Sequence, residues 1–106
     1  MGLDYAFWKS GQGTVREIYE DLGDGISARL EPSSDVLEFR EFLLDYWPDL
    51  EESIEPFESD PDFDPEDLKK YVVVNIHAND VAKMDRVWQL AEQYQLVAYD
   101  PLHTSQ

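Results

Sequence analysis

Cysteine is absent from this chain. No disulfide framework, thiolate nucleophile or cysteine-ligated zinc can be built from it. Positive charge is scarce: eight lysines and arginines stand against 24 aspartates and glutamates, a formal net charge of −16. That balance repels a phosphate backbone, so nucleic acid is excluded as the expected partner. It also repels the anionic inner leaflet of a membrane. No apolar run approaches the roughly 20 residues needed to span a bilayer. Met1 to Lys9 lack the basic-then-apolar layout of a secretory signal. A cytoplasmic protein is therefore expected. Glycine is also sparse, and Gly11-Gln12-Gly13 is followed by no lysine of the kind a phosphate-cradling loop requires. It reads as a turn before a helix.

What is present is enough for a folded core. Of 106 residues, 42% are hydrophobic and 13% aromatic, whereas acidic disordered chains are poor in aromatics. The length suits one domain, residues 1–106.

Leu3 to Trp8 is aromatic-rich and bounded by Gly11 and Gly13, which predicts a strand. Thr14 and Glu17 stand at capping-box spacing and open a helix. Val15, Ile18, Tyr19 and Leu22 mark its buried stripe, and Gly23 is placed to end it in the left-handed conformation. Ile26 to Leu30 is ambiguous between loop and a short extended piece. Pro32-Ser33-Ser34-Asp35 announces a second helix. Its stripe is Val36, Phe39, Leu43 and Tyr46, and Pro48 stands past its end. Asp64-Pro65-Glu66 reads as a capped helical turn. Tyr71 to Ala78 is dominated by branched residues and predicts a strand. Asn79 and Asp80 cap a third helix with Val81, Met84, Val87, Trp88, Ala91 and Tyr94 on its apolar face. Leu96 to Tyr99 is a last short strand. The final strand, helix and strand form a right-handed crossover with room for one strand between. The N-terminal strand fits there, antiparallel to both. The expected fold is α+β, a two-layer sandwich of a small three-stranded mixed sheet with helices on one face.

The charge is unevenly placed. No lysine or arginine lies between Arg40 and Lys69. The stretch 49–67 is purely acidic and is interrupted by Pro56, Pro61 and Pro65 just past Pro48, so most of it is expected to be loop. Leu50, Ile54, Phe57 and Phe63 would pin that loop to the body. Its candidate contact residues are Glu51, Glu52, Glu55, Phe57, Glu58, Asp60, Asp62, Phe63, Asp64, Glu66 and Asp67.

Catalysis finds little support. His77 comes with no nucleophile and reads as a strand histidine at the sheet surface. His103 stands near the C-terminal end of the sequence. Asp60, Asp62 and Asp64 alternate like a calcium loop, but Pro65 and Tyr71 occupy the positions where that loop needs glycine and glutamate. Paired carboxylates arise by chance on so acidic a surface, and a domain this small offers little room for a deep substrate cleft. No enzyme activity, cofactor or metal is expected.

A dense acidic surface is complementary to a basic protein and accelerates encounter with it. Solubility alone needs a net charge of only about 2–8. The excess points to binding, with Trp47, Phe57 and Phe63 as candidate apolar anchors, while Trp8, Tyr46 and Trp88 are assigned to the core. An alternative is a nucleic-acid-mimicking adaptor that regulates a basic housekeeping protein.

The opening Met1-Gly2-Leu3-Asp4-Tyr5-Ala6-Phe7-Trp8, the run from Phe39 to Pro48 and the ending Leu96-Val97-Ala98-Tyr99-Asp100-Pro101 resemble small acidic bacterial proteins. These are similar to immunity proteins of toxin–immunity systems, including contact-dependent growth inhibition. The resemblance implies a cytoplasmic protein that binds a cognate toxin domain, a basic protein and foremost a nuclease, and blocks it.

Overall fold

A computed structural model of the chain describes residues 2–24, 26–56, 61, 64–77 and 80–99. The elements run β1 (Gly2–Trp8), β2 (Ser10–Gly11), α1 (Val15–Gly23), β3 (Leu30–Glu31), α2 (Ser34–Tyr46), a 3₁₀ helix (Pro48–Glu52), β4 (Ile54–Glu55), a second 3₁₀ helix (Pro65–Lys69), β5 (Tyr71–His77), α3 (Val81–Gln93) and β6 (Val97–Tyr99). The main sheet has the order β4-β5-β1-β6, and β2 pairs with β3 in a separate two-stranded piece. β1 is antiparallel to both β5 and β6, with Tyr5 opposite Val74 and Phe7 opposite Val72 and Ala98. The expected central position of β1 is thus the observed one.

Two expectations are corrected. The sheet has four strands and is antiparallel at every pairing instead of mixed, because Ile54 and Glu55 pair with Val74 and Val73 and extend it at one edge, and β1 separates β5 from β6. The helices also cover both faces, giving three layers instead of two. Tyr5 and Phe7 join Val72, Val74 and Ile76 under α2 and α3, where Val36, Phe39, Leu43, Val87, Leu90 and Ala91 complete the larger core. Ala6 and Trp8 point the other way and join Tyr71 and Val73 under Ile18 and Leu22 of α1 and Leu30 of β3. The physical reason lies in the strands. Tyr5-Ala6-Phe7-Trp8 and Tyr71-Val72-Val73-Val74 are apolar at every position, and all eight residues are buried. A strand apolar on both faces needs cover on both.

The helix ends follow local chemistry. Thr14 Oγ1 accepts from Glu17 N, and Glu17 Oε1 accepts from Thr14 N. Ser33 and Asp80 cap α2 and α3 by accepting from Asp35 N and Lys83 N. Gly23 does not end α1 in the left-handed region; Asp24 caps it at φ −96°. Among the described residues the glycine with a positive φ is Gly13, at +101°, where an added Cβ would sit 2.9 Å from the Arg29 guanidinium.

Candidate functional site

The acidic stretch begins where Pro48 stops α2 and starts the first 3₁₀ helix. Leu50 and Ile54 are buried in the larger core. Each such burial stabilises by about 1.5–3 kcal/mol relative to exposure. Ser53 O also accepts from Asn75 N at 3.0 Å. These contacts fix Glu51 and Glu52, both exposed, at the protein surface, and they place Glu55 on edge strand β4.

The second 3₁₀ helix forms as its sequence predicts, with Pro65 in the first turn and Asp64 accepting from Glu66 N at 3.0 Å. Asp64 and Glu66 are exposed. Asp67 is half-buried; it accepts from Ser27 Oγ at 2.7 Å and faces Lys70 at 4.0 Å, so its carboxylate ties the turn to the loop after α1. Phe57, Glu58, Asp60, Asp62 and Phe63 lie outside the described residues, as does His103.

Most of the chain's own cations are engaged with other groups, although Lys70 pairs with Asp67, Lys83 reaches Asp49, and Lys69 stands exposed at the end of the second 3₁₀ helix. Lys9 pairs with Asp35, Arg16 with Glu20, and Arg29 with Asp21 and Glu17. Lys83 bridges Asp80 and Asp49. Arg40 is buried in α2, and the Arg86 guanidinium lies 5.5 Å from the Tyr46 ring centre. Among the described residues no ion pair reaches Glu51, Glu52, Glu55, Asp64 or Glu66.

A recess opens beside this belt, on the α1 side of the sheet. The sheet contributes Asp4 from β1, Val73 from β5 and Glu55 from β4; α1 contributes Tyr19, Glu20, Leu22 and Gly23. The cleft encloses about 250 Å³. Asp4 is oriented by its cross-strand neighbour Asn75, whose Nδ2 donates to Asp4 Oδ1 at 2.9 Å. Tyr19 Oη donates to the Asp4 carbonyl at 3.3 Å, and the Tyr19 ring stacks on Tyr99 with centres 4.0 Å apart. Burial, and then the charge of Asp4, raise the Glu55 carboxyl above its ordinary range. Burial, then Asp4, then Tyr99 raise the Tyr19 phenol likewise. Sequence reading singled out Glu55 but missed Asp4, Tyr19 and Glu20. Only the pairing of β4 with β5 brings the belt next to Asp4.

The assigned aromatics divide differently than expected. Trp8 is buried, Trp47 and Trp88 are half-buried against the larger core, and Tyr46 is 54% exposed instead of belonging to the core. Tyr46 sits at the last residue of α2, on the same stripe as Phe39, with its ring against Phe42 and Trp47. His77 is exposed on β5. Among the described residues no group of three histidines or carboxylates could hold a metal ion, and no helix is long and apolar enough to cross a membrane.

Comparison with protein-family models, curated proteins and solved structures found no match to the chain.

Proposed function

We propose that this chain is an immunity protein that binds and neutralises a cognate toxin domain in the bacterial cytoplasm. The toxin is a basic protein, foremost a nuclease, of a polymorphic-toxin or contact-dependent inhibition system. One observation supports the reading above the others: Glu51, Glu52, Glu55, Asp64 and Glu66 stand on pinned segments, and among the described residues no lysine or arginine is paired to them. Carboxylates held in fixed positions and left unpaired form an oriented field. Such a field raises encounter rates with an oppositely charged partner by about 10–10³. A nuclease is basic where it holds phosphate, and a belt of carboxylates can occupy that groove in the phosphates' place. No catalytic step, cofactor or metal enters this mechanism.

The reading predicts a basic toxic domain encoded immediately upstream of this chain. Co-expression of that domain with this chain should restore growth that the domain alone abolishes. Growth arrest that persists when both are expressed would overturn the reading.

A further inference from the structure

We infer that the cleft between α1 and the sheet is a socket for a single arginine side chain of the cationic partner, an assignment that rests on the function proposed above. Its volume selects the class of occupant. About 250 Å³ holds far more than one water, whose share of the liquid is about 30 Å³. It falls short of the roughly 300–1,000 Å³ of small-molecule sites. A long side chain entering from a partner's surface is the occupant of that size.

The lining selects the side chain. Asp4 and Glu55 bring carboxylates from a central strand and an edge strand, and Glu20, whose carboxylate is held by Arg16, borders the space from the helix. Leu22 and Val73 give an apolar floor on which a methylene stem can lie, and the Tyr19 ring borders the space. A guanidinium combines what these walls offer: a planar fork for carboxylates and a weakly hydrated face for an aromatic ring. An ammonium is more strongly hydrated and gains less from the ring. Arg16, the nearest cation in sequence, is engaged with Glu20 at 3.0 Å on the exposed side of α1. Neither Asp4 nor Glu55 takes part in an ion pair among the described residues.

Gly23 supplies a test that leaves charge untouched. It lines the cleft, its φ is not in the left-handed region, and a Cβ built there meets no other atom within 4 Å. Gly23→Leu can therefore fill the space without a clash at its Cβ. The probe is N-acetyl-arginine amide, titrated into the intact chain while NMR follows the carboxyl carbons of Asp4 and Glu55 and the Tyr19 ring. N-acetyl-lysine amide is the comparison. The shifts should saturate, with arginine binding at least threefold tighter than lysine. Gly23→Leu and Glu55→Gln should each weaken the arginine probe about tenfold or more, while the belt variant Glu51→Gln/Glu52→Gln stays within twofold of wild type. Shifts that do not saturate, equal affinity for the two probes, or a Gly23→Leu chain that binds as wild type would each overturn the assignment. Such a failure leaves the proposed function standing, because that function is tested by growth rescue. Failed rescue with an intact probe response would remove the function and keep the socket.

Discussion

Glu55 is under two opposing demands. Its backbone completes the sheet edge beside Val73, while its side chain, on an exposed residue, loses part of its hydration next to Asp4. Its pKa is raised above the ordinary 4.5 by burial first and Asp4 second. Between the unfolded and folded values the native state binds the extra proton, so ionising Glu55 subtracts stability as pH rises through that window. Glu55→Gln removes the penalty. Urea unfolding should find the variant more stable than wild type at pH 7, with the two converging well below the ordinary 4.5. A less stable variant at pH 7 would show that the ionised carboxylate makes a contact outweighing its desolvation. Glu17 works in the opposite sense. The Thr14 backbone N–H, then the Thr14 hydroxyl, then Arg29 hold it below its ordinary value. The stability it supplies is present above the unfolded value and is lost as pH falls through the folded one. Thr14→Ala breaks the reciprocal cap and should cost about 1 kcal/mol by urea titration at pH 7.

At the scale of elements, the acidic stretch keeps its place through short pieces of regular structure. Ile54 is wholly buried although β4 is only two residues long. Ile54→Ala should cost about 2–5 kcal/mol. It should also speed amide exchange at Asn75, whose N–H is bonded to Ser53 O. A loss under 1 kcal/mol with unchanged exchange would mean that the belt is held by other contacts. The three helices were legible in the sequence because capping residues and apolar spacing agree at each, although Val15 and Val81, read onto the buried faces of α1 and α3, stand exposed in the first turns. The central strands were legible too, since β1 and β5 are built from aromatic and branched residues. β4 was not. Two residues between acids and prolines carry no periodicity, and only Val73 and Val74 across the edge give Ile54 and Glu55 an extended partner. The second sheet face was readable in principle. Tyr5 to Trp8 and Tyr71 to Val74 lack the alternation of a half-exposed strand, and an unbroken apolar run requires cover on both sides. The cleft was not readable at all, because Asp4, Tyr19 and Glu55 meet only through the register of three strands and the seat of α1.

For the molecule as a whole, the net charge of −16 sets the energetics. Like charges confined to a folded body repel one another, and salt screens them with a Debye length near 10 Å at 0.1 M. Raising sodium chloride from low salt to about 0.5 M should stabilise the chain by about 1 kcal/mol, a rise in Tm of about 4–8 °C. A calorimetric Tm that falls with added salt would show that the described ion pairs outweigh the repulsion. Lys9, Arg16 and Arg29 are engaged away from the belt, while Lys83 and Lys70 reach only its end members Asp49 and Asp67, so within the belt's described residues the surplus is least neutralised at Glu51, Glu52, Glu55, Asp64 and Glu66. The most direct measurement of the central claim is the rate of association with the upstream-encoded toxic domain as a function of salt. It compares wild type with the triple reversal Glu51→Lys/Glu52→Lys/Glu66→Lys. At low salt the variant should associate about ten- to a hundredfold more slowly, with a flatter dependence on ionic strength. Equal rates and equal salt slopes for the two chains would contradict the claim that the belt receives the partner.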